Sequence, residues 1–334
     1  MRAVVLTARF LFSANYLKVC YNKPYKTKTE DIMDYSQILS QQFNIKEEYA
    51  KNIITLLDDG NTIPFIARYR KEMHGSMDDQ LIREFAEKLE YLRGLDKRRD
   101  EIRSLIDAQE KLTDEINLAL DKAATLSELE DIYRPYRPKR KTRASIAKEK
   151  GLEPLANDIL KQEKGFDPSK SAVDYIDEEK GVTSVEDAIQ GAMDIIAELV
   201  SDNAEIRKRI RNLTNANGVL VSVATDEEKD SVYKNYYDYK EPVKKIAGHR
   251  VLAVNRGEKE GFLKVSVETD SEKPLNSIFR AMITDKNQLC SDIIREACTD
   301  AYQRLIYPSI EREVRNELTE KAEDRAISVF KKNL

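Results

Sequence analysis

The sequence predicts a mainly α protein, in which several helices surround one long central helix and a small mixed α/β segment is added. Glycine and proline are scarce, at 11 and 9 of 334 residues, which favours long helices over turn-rich β architecture. Apolar residues recur at helical spacing along most of the chain, whereas strand-like runs lie between about residues 218 and 270. The 41% share of hydrophobic residues is enough for a core, and the length allows one large domain or two modest ones.

The first predicted helices lie within residues 35–75. Apolar residues between positions 45 and 57 follow the helical period, and the Asp-Gly-Asn run at 59–61 supplies a stop. Thr62 is a suitable N-cap, and Pro64 fits the first turn of a second short helix. Two short helices joined by a tight turn predict a helix-turn-helix-like element.

The second short helix would present three cations, namely Arg68, Arg70 and Lys71. In one interpretation these residues contact phosphate. In the other, Phe65, Ile66 and Tyr69 simply dock the helix on its neighbours. Both interpretations can hold on opposite faces of the helix, and both are kept.

The long central helix is predicted from residue 77 to about residue 108. Ser76-Met-Asp-Asp79 resembles a capping box, and apolar residues then recur at helical spacing as far as Ile106. The helix would be on the order of 48 Å long. Arg98 and Arg99 interrupt the apolar stripe, so we expect the packing to change there.

Shorter helices follow, and their caps can be read from the sequence. Thr125, Thr142 and Ser184 are the predicted N-caps. The predicted helices cover residues 114–122, 126–133, 144–150, 154–161, 185–201 and 205–215. Strands are predicted at residues 219–223 and 262–267. Pro308 is expected to separate two final helices, at residues 286–307 and 310–330.

Between the two strands, tyrosines alternate with cations. Aromatic rings beside His249, Arg250 and Arg256 could form a base-stacking platform for nucleic acid. Tyrosines more often pack half-buried with a solvated hydroxyl, and we prefer that interpretation. The tyrosines concerned are Tyr233, Tyr236, Tyr237 and Tyr239.

Residues 134–143, which we call the basic elbow, contain six Lys or Arg and no acid. Pro135 and Pro138 push the residues before them away from helical geometry, so we predict an extended segment with outward cations that could neutralise phosphates. The alternative is a solvated loop whose cations pair with nearby acids. Glu128, Glu130 and Asp131 are expected to hold the elbow in place. The six cations are Arg134, Arg137, Lys139, Arg140, Lys141 and Arg143.

The residues needed for catalysis or metal binding are not found. His74 and His249 lie far apart and have no partners at metal-ligand spacing. Nucleotide-binding and hydrolase motifs are also missing. We therefore predict a non-enzymatic protein without a metal or small-molecule cofactor. The formal net charge of −4 means that any nucleic-acid binding must come from local patches.

Three cysteines cannot form a framework of disulfides, which makes a reducing cytoplasm the simplest compartment. Cys290 and Cys298 are expected to be small buried hydrophobes. No apolar stretch approaches the roughly eighteen residues that would cross a membrane.

Four blocks of the sequence resemble the bacterial Tex proteins, which are transcription accessory factors. The central block is Leu129-Glu-Asp-Ile-Tyr-Arg-Pro-Tyr-Arg-Pro-Lys-Arg-Lys-Thr-Arg-Ala144, continued by residues 147–156. The other blocks are residues 62–72, residues 237–258 and residues 304–318. The resemblance implies a helical amino-terminal portion with a helix-turn-helix, and RNA or DNA as partner, with RNA polymerase as a further candidate.

Full-length Tex proteins continue into an RNase-H-like domain, helix-hairpin-helix modules and an OB-fold domain that binds nucleic acid. The resemblance therefore predicts a fragment that ends before the RNase-H-like domain. It starts near Met33, so we expect residues 1–32, with a net charge of +4, to be a non-native or disordered leader. The expected parts are a helical domain at 33–217, a mixed α/β segment at 218–270 and a helical segment at 271–334.

Two functions are compatible with these features. In the first, the basic elbow and the cations of the helix-turn-helix contact phosphate backbones without reading sequence. In the second, the chain is a scaffold that docks the rest of the protein or RNA polymerase, and nucleic acid binds elsewhere. The orientation of the elbow cations distinguishes the two, because pairing with intramolecular carboxylates favours the scaffold.

Overall fold

The computed structural model describes residues 28–284 and 286–332, and it confirms a mainly α fold with one small sheet. The expected leader, residues 1–32, lies almost wholly outside these described residues. The chain divides into two compact units, the first ending at Glu101 and the second beginning at Ile102.

The first unit is built from helices around a core of aliphatic and aromatic side chains. Its helices are α1 (Lys28–Phe43), α2 (Glu47–Asp58), α3 (Ile63–Tyr69), α4 (Lys71–His74) and the first part of α5 (Asp79–Asp107). Its core includes Leu39, Ile53, Ile54, Ile66, Ile82 and Phe85, all of which are fully buried. The helical period read from the sequence therefore marks the buried faces correctly.

The long central helix is confirmed as α5, whose 29 residues span about 44 Å. Its predicted cap is wrong. Asp78 caps the helix, because its Oδ1 accepts a hydrogen bond of 2.7 Å from the Leu81 N–H. Ser76 has a φ of 62°, which is the left-handed region and not the extended conformation that an N-cap requires.

The second unit contains the remaining helices, and α11 lies at the centre of its core. The helices are α6 (Asp114–Lys122), α7 (Leu126–Tyr133), α8 (Arg143–Glu149), α9 (Glu153–Lys161), α10 (Pro168–Ala172), α11 (Val185–Asp202), α12 (Ala204–Asn217), α13 (Gly248–Lys259), α14 (Glu272–Met282), α15 (Gln288–Asp300) and α16 (Tyr307–Lys332). Small residues such as Ala188, Ala192 and Ala197 line the buried face of α11 and let α8, α9 and α15 pack closely. The predicted caps Thr125, Thr142 and Ser184 are confirmed.

The mixed segment forms a three-stranded antiparallel sheet in the order β2-β1-β3. The strands are β1 (Val219–Ala224), β2 (Asp238–Pro242) and β3 (Leu263–Glu268). In the register, Val221 pairs with Lys240 on one side and with Ser266 on the other. The edge strand β2 was not predicted, because its Asp-Tyr-Lys-Glu-Pro sequence lacks the apolar alternation of a half-buried strand.

Pro308 does not separate two helices, contrary to the prediction. The segment Ala301–Ile306 is a π-helix that continues α15, and α16 follows it directly with Pro308 in its first turn. A π-helical turn changes the hydrogen-bond register of a helix. The missing N–H of the proline falls just after that change, where an interruption of the ladder is tolerated.

Candidate nucleic-acid interface

The first candidate surface, which we call the α3 patch, consists of Phe65, Arg68, Tyr69, Arg70 and Lys71. It lies on α3 and α4, and Arg70 forms the break between the two helices. The three cations are exposed. The helix is anchored from the opposite side, where Ile66 is fully buried.

The turn that carries the α3 patch is fixed by tight packing. His74 is fully buried, and its Nε2 lies 3.1 Å from the carbonyl oxygen of Ile66. Gly75 ends α4 with a φ of 65°, and an added Cβ would lie 2.5 Å from the ring of Tyr49. A larger residue at position 75 would therefore both strain the backbone and displace this ring.

Within the part of the chain that the structure describes, no carboxylate forms an ion pair with Arg68, Arg70 or Lys71. Glu72 is the acidic neighbour in sequence, so residues 68–72 carry a local charge of 3 − 1 = +2. The guanidinium carbon of Arg70 lies 5.4 Å from the centroid of the Phe65 ring. The cations of the α3 patch are therefore available to an external anion.

The basic elbow begins in a different conformation from the one predicted. Arg134–Tyr136 forms a 3₁₀ turn, and Arg134 has a helical φ and ψ of −52° and −44° although Pro135 follows it. The turn continues α7, so Arg134 serves as the C-cap of that helix. The extended conformation starts at Arg137, as expected for the residue before Pro138.

Four of the six elbow cations lie beside carboxylates. The prediction of outward cations is wrong for two of them, Arg134 and Lys139, whose side chains are only 33% and 30% exposed. Asp194, Glu198 and Asp202 follow one another at intervals of four residues along α11, and we call them the acidic stripe. Lys139 Nζ lies 3.3 Å from Glu198 Oε1 and also pairs with Asp202, while Arg134 Nε lies 3.5 Å from Asp202 Oδ1. Burial lowers the pKa of Arg134, and so does nearby Arg207, whereas Asp202 opposes the change.

The other elbow cations are more accessible. Arg137 pairs with Glu130, as the expected holding role of that glutamate requires. Lys141 lies 3.4 Å from Glu149, but both side chains are more than 60% exposed, so this pair holds the elbow weakly. Arg140 and Arg143 are exposed and have no ion pair among the described residues.

A buried charge network fixes α7, the helix that leads into the elbow. Arg207 is fully buried, and its Nε donates a hydrogen bond of 2.5 Å to Asp131 Oδ1. Arg211 donates to Asp131 Oδ2 at 2.6 Å and to Glu313 Oε2 at 2.8 Å, and Arg207 also reaches Glu313. Burial lowers the pKa of Arg211, but the two carboxylates outweigh it and the net change is upward. Asp131 thus fixes α7, the helix that leads into the elbow, through Arg207 and Arg211.

Sequence reasoning missed two sets of residues: the acidic stripe, which pairs with the elbow cations, and the arginines that pair with Asp131. The four-residue spacing of the acidic stripe is a signal that could have been read, because it places three carboxylates on one side of a helix. The burial of Arg207 has no such signal, since arginine in an amphipathic helix is normally assigned to the solvent face.

The third group of candidate residues, His249, Arg250 and Arg256, lies on α13, and carboxylates pair with both of its arginines. Arg250 Nη1 lies 2.9 Å from Glu241 Oε1, and Arg256 Nε lies 2.9 Å from Glu260 Oε1. His249 is exposed. The structure therefore does not bring the three basic residues into one unpaired cluster.

The tyrosines near α13 pack against the sheet, as preferred above. Tyr233 is buried with Leu220 and Val254, and the other three are partly buried around them. Tyr237 Oη donates a hydrogen bond of 2.9 Å to Ser231 Oγ. These rings belong to the small core of the sheet, so they do not form an open stacking platform.

Within residues 28–284 and 286–332, no three His, Cys, Asp or Glu side chains converge so that they could hold a metal ion. Among the helices of these residues, none combines the length and apolar character needed to cross a membrane. Cys290 and Cys298 are buried, as predicted, and burial raises the pKa of Cys298 to about 12.

The chain is similar to several known proteins. It is 44% identical over 309 residues to the uncharacterized protein YdcI of Bacillus subtilis, which covers 90% of this chain and 43% of that protein. It is 36% identical to the transcriptional accessory protein Tex of Neisseria gonorrhoeae, over 90% of this chain and 40% of that protein. It is 31% identical to the human S1 RNA-binding domain-containing protein 1, over 92% of this chain and 32% of that protein. The chain thus spans about two fifths of the length of its bacterial relatives.

Models of two Tex-family domains match the sequence, the N-terminal domain first and the central region after it. Residues 33–107 match the Tex-like protein N-terminal domain, which includes the α3 patch. Residues 163–330 match the Tex central region, which includes the acidic stripe, the sheet and α16. With half of its length in the second match alone, the chain belongs to the Tex family.

Proposed function

We propose that this chain is a non-enzymatic part of a transcription accessory protein that contacts the phosphate backbone of RNA or DNA without reading its sequence. The observation that carries the proposal is the α3 patch, where Arg68, Arg70 and Lys71 are exposed on a fixed turn and form no ion pair with the described carboxylates. Relatives named as a transcriptional accessory protein and as an S1 RNA-binding domain-containing protein support a role of this class.

Arg140 and Arg143 extend the same proposal to the tip of the basic elbow. Neither forms an ion pair with a described residue, although Arg143 lies near enough to Asp194 to lower the pKa of that carboxyl, and Lys141 is held only by an exposed partner. A phosphate can replace an exposed carboxylate partner at small cost, because surface ion pairs contribute less than about 1 kcal/mol. The contacts would be made mainly by charge, so the affinity should fall steeply as salt increases.

The test is a fluorescence-anisotropy titration of labelled single-stranded and duplex 20-mers at two salt concentrations. Replacing Arg68, Arg70 and Lys71 by Ser should weaken binding and reduce the slope of log K against log salt by about 2 for a single strand, if all three cations contact phosphate. The matched control replaces Lys161, Lys170 and Lys180 by Ser. These lysines are also exposed, but each pairs with an aspartate three residues away. An equal loss in the control would contradict a local site.

The second candidate function is a scaffold that docks other domains of a longer protein or RNA polymerase. It is favoured by the pairing of Arg134, Arg137, Lys139 and Lys141 with carboxylates. The same titration separates the two functions, using a variant in which all six elbow cations are replaced by Ser. Unchanged affinity would assign the elbow to the scaffold role and leave the α3 patch as the phosphate-contacting surface.

A cellular compartment and a role for each part of the chain belong to the same proposal. We propose a cytoplasmic protein, in which residues 271–334 would lead toward an RNase-H-like domain of a longer chain. The helical part at 33–217 would then carry both basic surfaces, and the small sheet at 218–270 would support α13 and α16.

A further inference from the structure

We infer that Tyr69 and Phe65 form a base-stacking platform, so that the ligand of the α3 patch is single-stranded nucleic acid. This inference rests on the proposed function and adds to it, because phosphate contact by itself does not distinguish a single strand from a duplex. Its basis is the juxtaposition of two aromatic rings on α3 with three unpaired cations at the end of α3 and the start of α4.

The first observation is the exposure of the Tyr69 ring, beside the half-buried Phe65. Tyr69 is 64% exposed, whereas Ile66, on the same seven-residue helix, is fully buried. Ile66 therefore anchors α3 against the core, and Tyr69 does not serve that purpose. An exposed tyrosine ring costs little to immobilise and offers a broad flat face to a base.

The second observation is the arrangement of the rings. Phe65 and Tyr69 are four residues apart, on one side of α3. Their ring centroids lie 5.3 Å apart with an interplanar angle of 42°. The Arg70 guanidinium lies over the Phe65 ring, at 5.4 Å from its centroid. Each contact restricts the motion of its partners, so the aromatic surface is ordered before a ligand arrives.

The third observation is the charge around the rings, which decides the class of occupant. Another exposed tyrosine of the first unit, Tyr91, has Lys88 beside its ring at 4.6 Å, but two acids, Glu87 and Glu90, precede it in the sequence. Tyr69 instead lies between Arg68 and Arg70. A partner that offers both flat rings and negative charge is a nucleic acid with unpaired bases.

A duplex fits this surface less well. Its bases are stacked on one another, so their faces are not available to Tyr69, and only its phosphates could contact the cations. A single strand can place one base on the exposed ring while its phosphates lie near Arg68, Arg70 and Lys71. The α3 patch should therefore prefer single strands to duplexes of equal length.

The experiment uses the 334-residue chain and two fluorescein-labelled 20-mers of single-stranded DNA. One has a mixed sequence, and the other has the same number of phosphates but abasic sugars throughout. Anisotropy titrations at one salt concentration compare the unmodified chain with Tyr69→Ala, Tyr69→Phe and the control Tyr91→Ala. Thermal unfolding monitored by circular dichroism checks that the exposed substitutions leave the fold intact.

We expect the unmodified chain to bind the mixed-sequence strand about tenfold more tightly than the abasic strand, as stacking of about one base would give. Tyr69→Ala should remove most of that difference and leave abasic binding unchanged. Tyr69→Phe keeps the ring and should retain the preference, and Tyr91→Ala should behave like the unmodified chain.

Two results would overturn the inference, and they are distinguishable. If both strands bind equally and Tyr69→Ala changes neither, while serine at positions 68, 70 and 71 weakens both, phosphate contact stands and the stacking platform is wrong. If neither strand binds, the proposed function fails together with the platform, and the exposed rings would belong to a protein contact.

Discussion

Two aspartates of α11 show how position within one helix sets the behaviour of a charge. Burial raises the pKa of Asp194, and nearby Arg143 and Arg304 offset only part of this effect. The Arg304 Nη2 lies 3.6 Å from Asp194 Oδ1. Asp187 lies in the first turn of the same helix, where hydrogen bonds from the side chain and N–H of Thr183 lower its pKa. The first charge weakens the folded state, and the second stabilises it.

Replacing each of the two aspartates should change the stability of the protein in opposite directions at neutral pH. The folded state binds the Asp194 proton more tightly than the unfolded chain does, so stability is lost as the pH rises from the ordinary value for aspartate through the raised pKa. Asp194→Asn should therefore be more stable than the unmodified protein at neutral pH, and the difference should vanish as the pH falls below the ordinary value for aspartate. Asp187→Asn should be less stable at neutral pH, and its deficit should disappear as the pH falls through the lowered pKa.

Chemical denaturation at a series of pH values measures both differences. The two variants remove the same charge from the same helix, so each is the control for the other. Differences of the same sign at neutral pH would contradict the environments assigned to the two aspartates.

At the scale of elements, contact with α11 fixes the position of the basic elbow. Lys139 and Arg134 share Asp202, and Glu198 adds a second carboxylate for Lys139. The Asp202 and Glu198 side chains are only 12% and 19% exposed, so water screens these pairs less than the exposed pair of Lys141 and Glu149. The elbow is therefore held along the acidic stripe.

Neutralising the stripe should release the elbow. We expect trypsin to cut the double variant Glu198→Gln with Asp202→Asn faster at the exposed cations of residues 139–143. If the ion pairs stabilise the closed elbow by about 1 kcal/mol, their loss raises the population of the open, cleavable elbow roughly fivefold. Limited proteolysis with mass spectrometry identifies the cleavage sites and their rates.

The matched control is Glu149→Gln, which removes the partner of Lys141 in a pair where both side chains are mostly exposed. Its cleavage rate should stay close to that of the unmodified chain. Equal rates for all three proteins would show that the stripe does not hold the elbow, and the scaffold function would lose its main support.

At the scale of the whole molecule, each unit has its own core, and the second adds a buried network of charges. Asp131, Arg207, Arg211 and Glu313 join α7, α12 and α16 although they are up to 182 residues apart in sequence (313 − 131). Two positive and two negative side chains balance, so the network buries no net charge. Removing one member leaves an uncompensated charge in a poorly solvated place, which is far more costly than losing a surface pair.

Arg207→Met should therefore destabilise the second unit by about 3 kcal/mol. Lys208→Met is the control, because Lys208 is the adjacent residue, is 48% exposed and pairs with Glu128; it should cost less than about 1 kcal/mol. Denaturant unfolding measures the size of the effect. Hydrogen exchange followed by mass spectrometry should show lost protection in α7, α12 and α16, while α1–α3 keep theirs. Similar costs for both variants would contradict the role given to the network.

The local patterns of the sequence determined most of the helices, the strands β1 and β3 and several caps, because these depend on residues a few positions apart. The period of apolar residues marked the buried face of α5, and Thr125, Thr142 and Ser184 began their helices as predicted. Local reasoning failed at Ser76 and Pro308, where a left-handed turn and a π-helical segment altered the expected geometry.

Only the tertiary structure decided which cations are available. The sequence singled out residues 134–143 as the most basic stretch, but the carboxylates that neutralise Arg134 and Lys139 lie some sixty residues further along the chain, on α11. The less conspicuous cations at 68, 70 and 71 stay unpaired among the described residues, beside two aromatic rings. Charge is fixed by composition, whereas its partners are fixed by packing, because ion pairs form between side chains that are close in space and not in sequence.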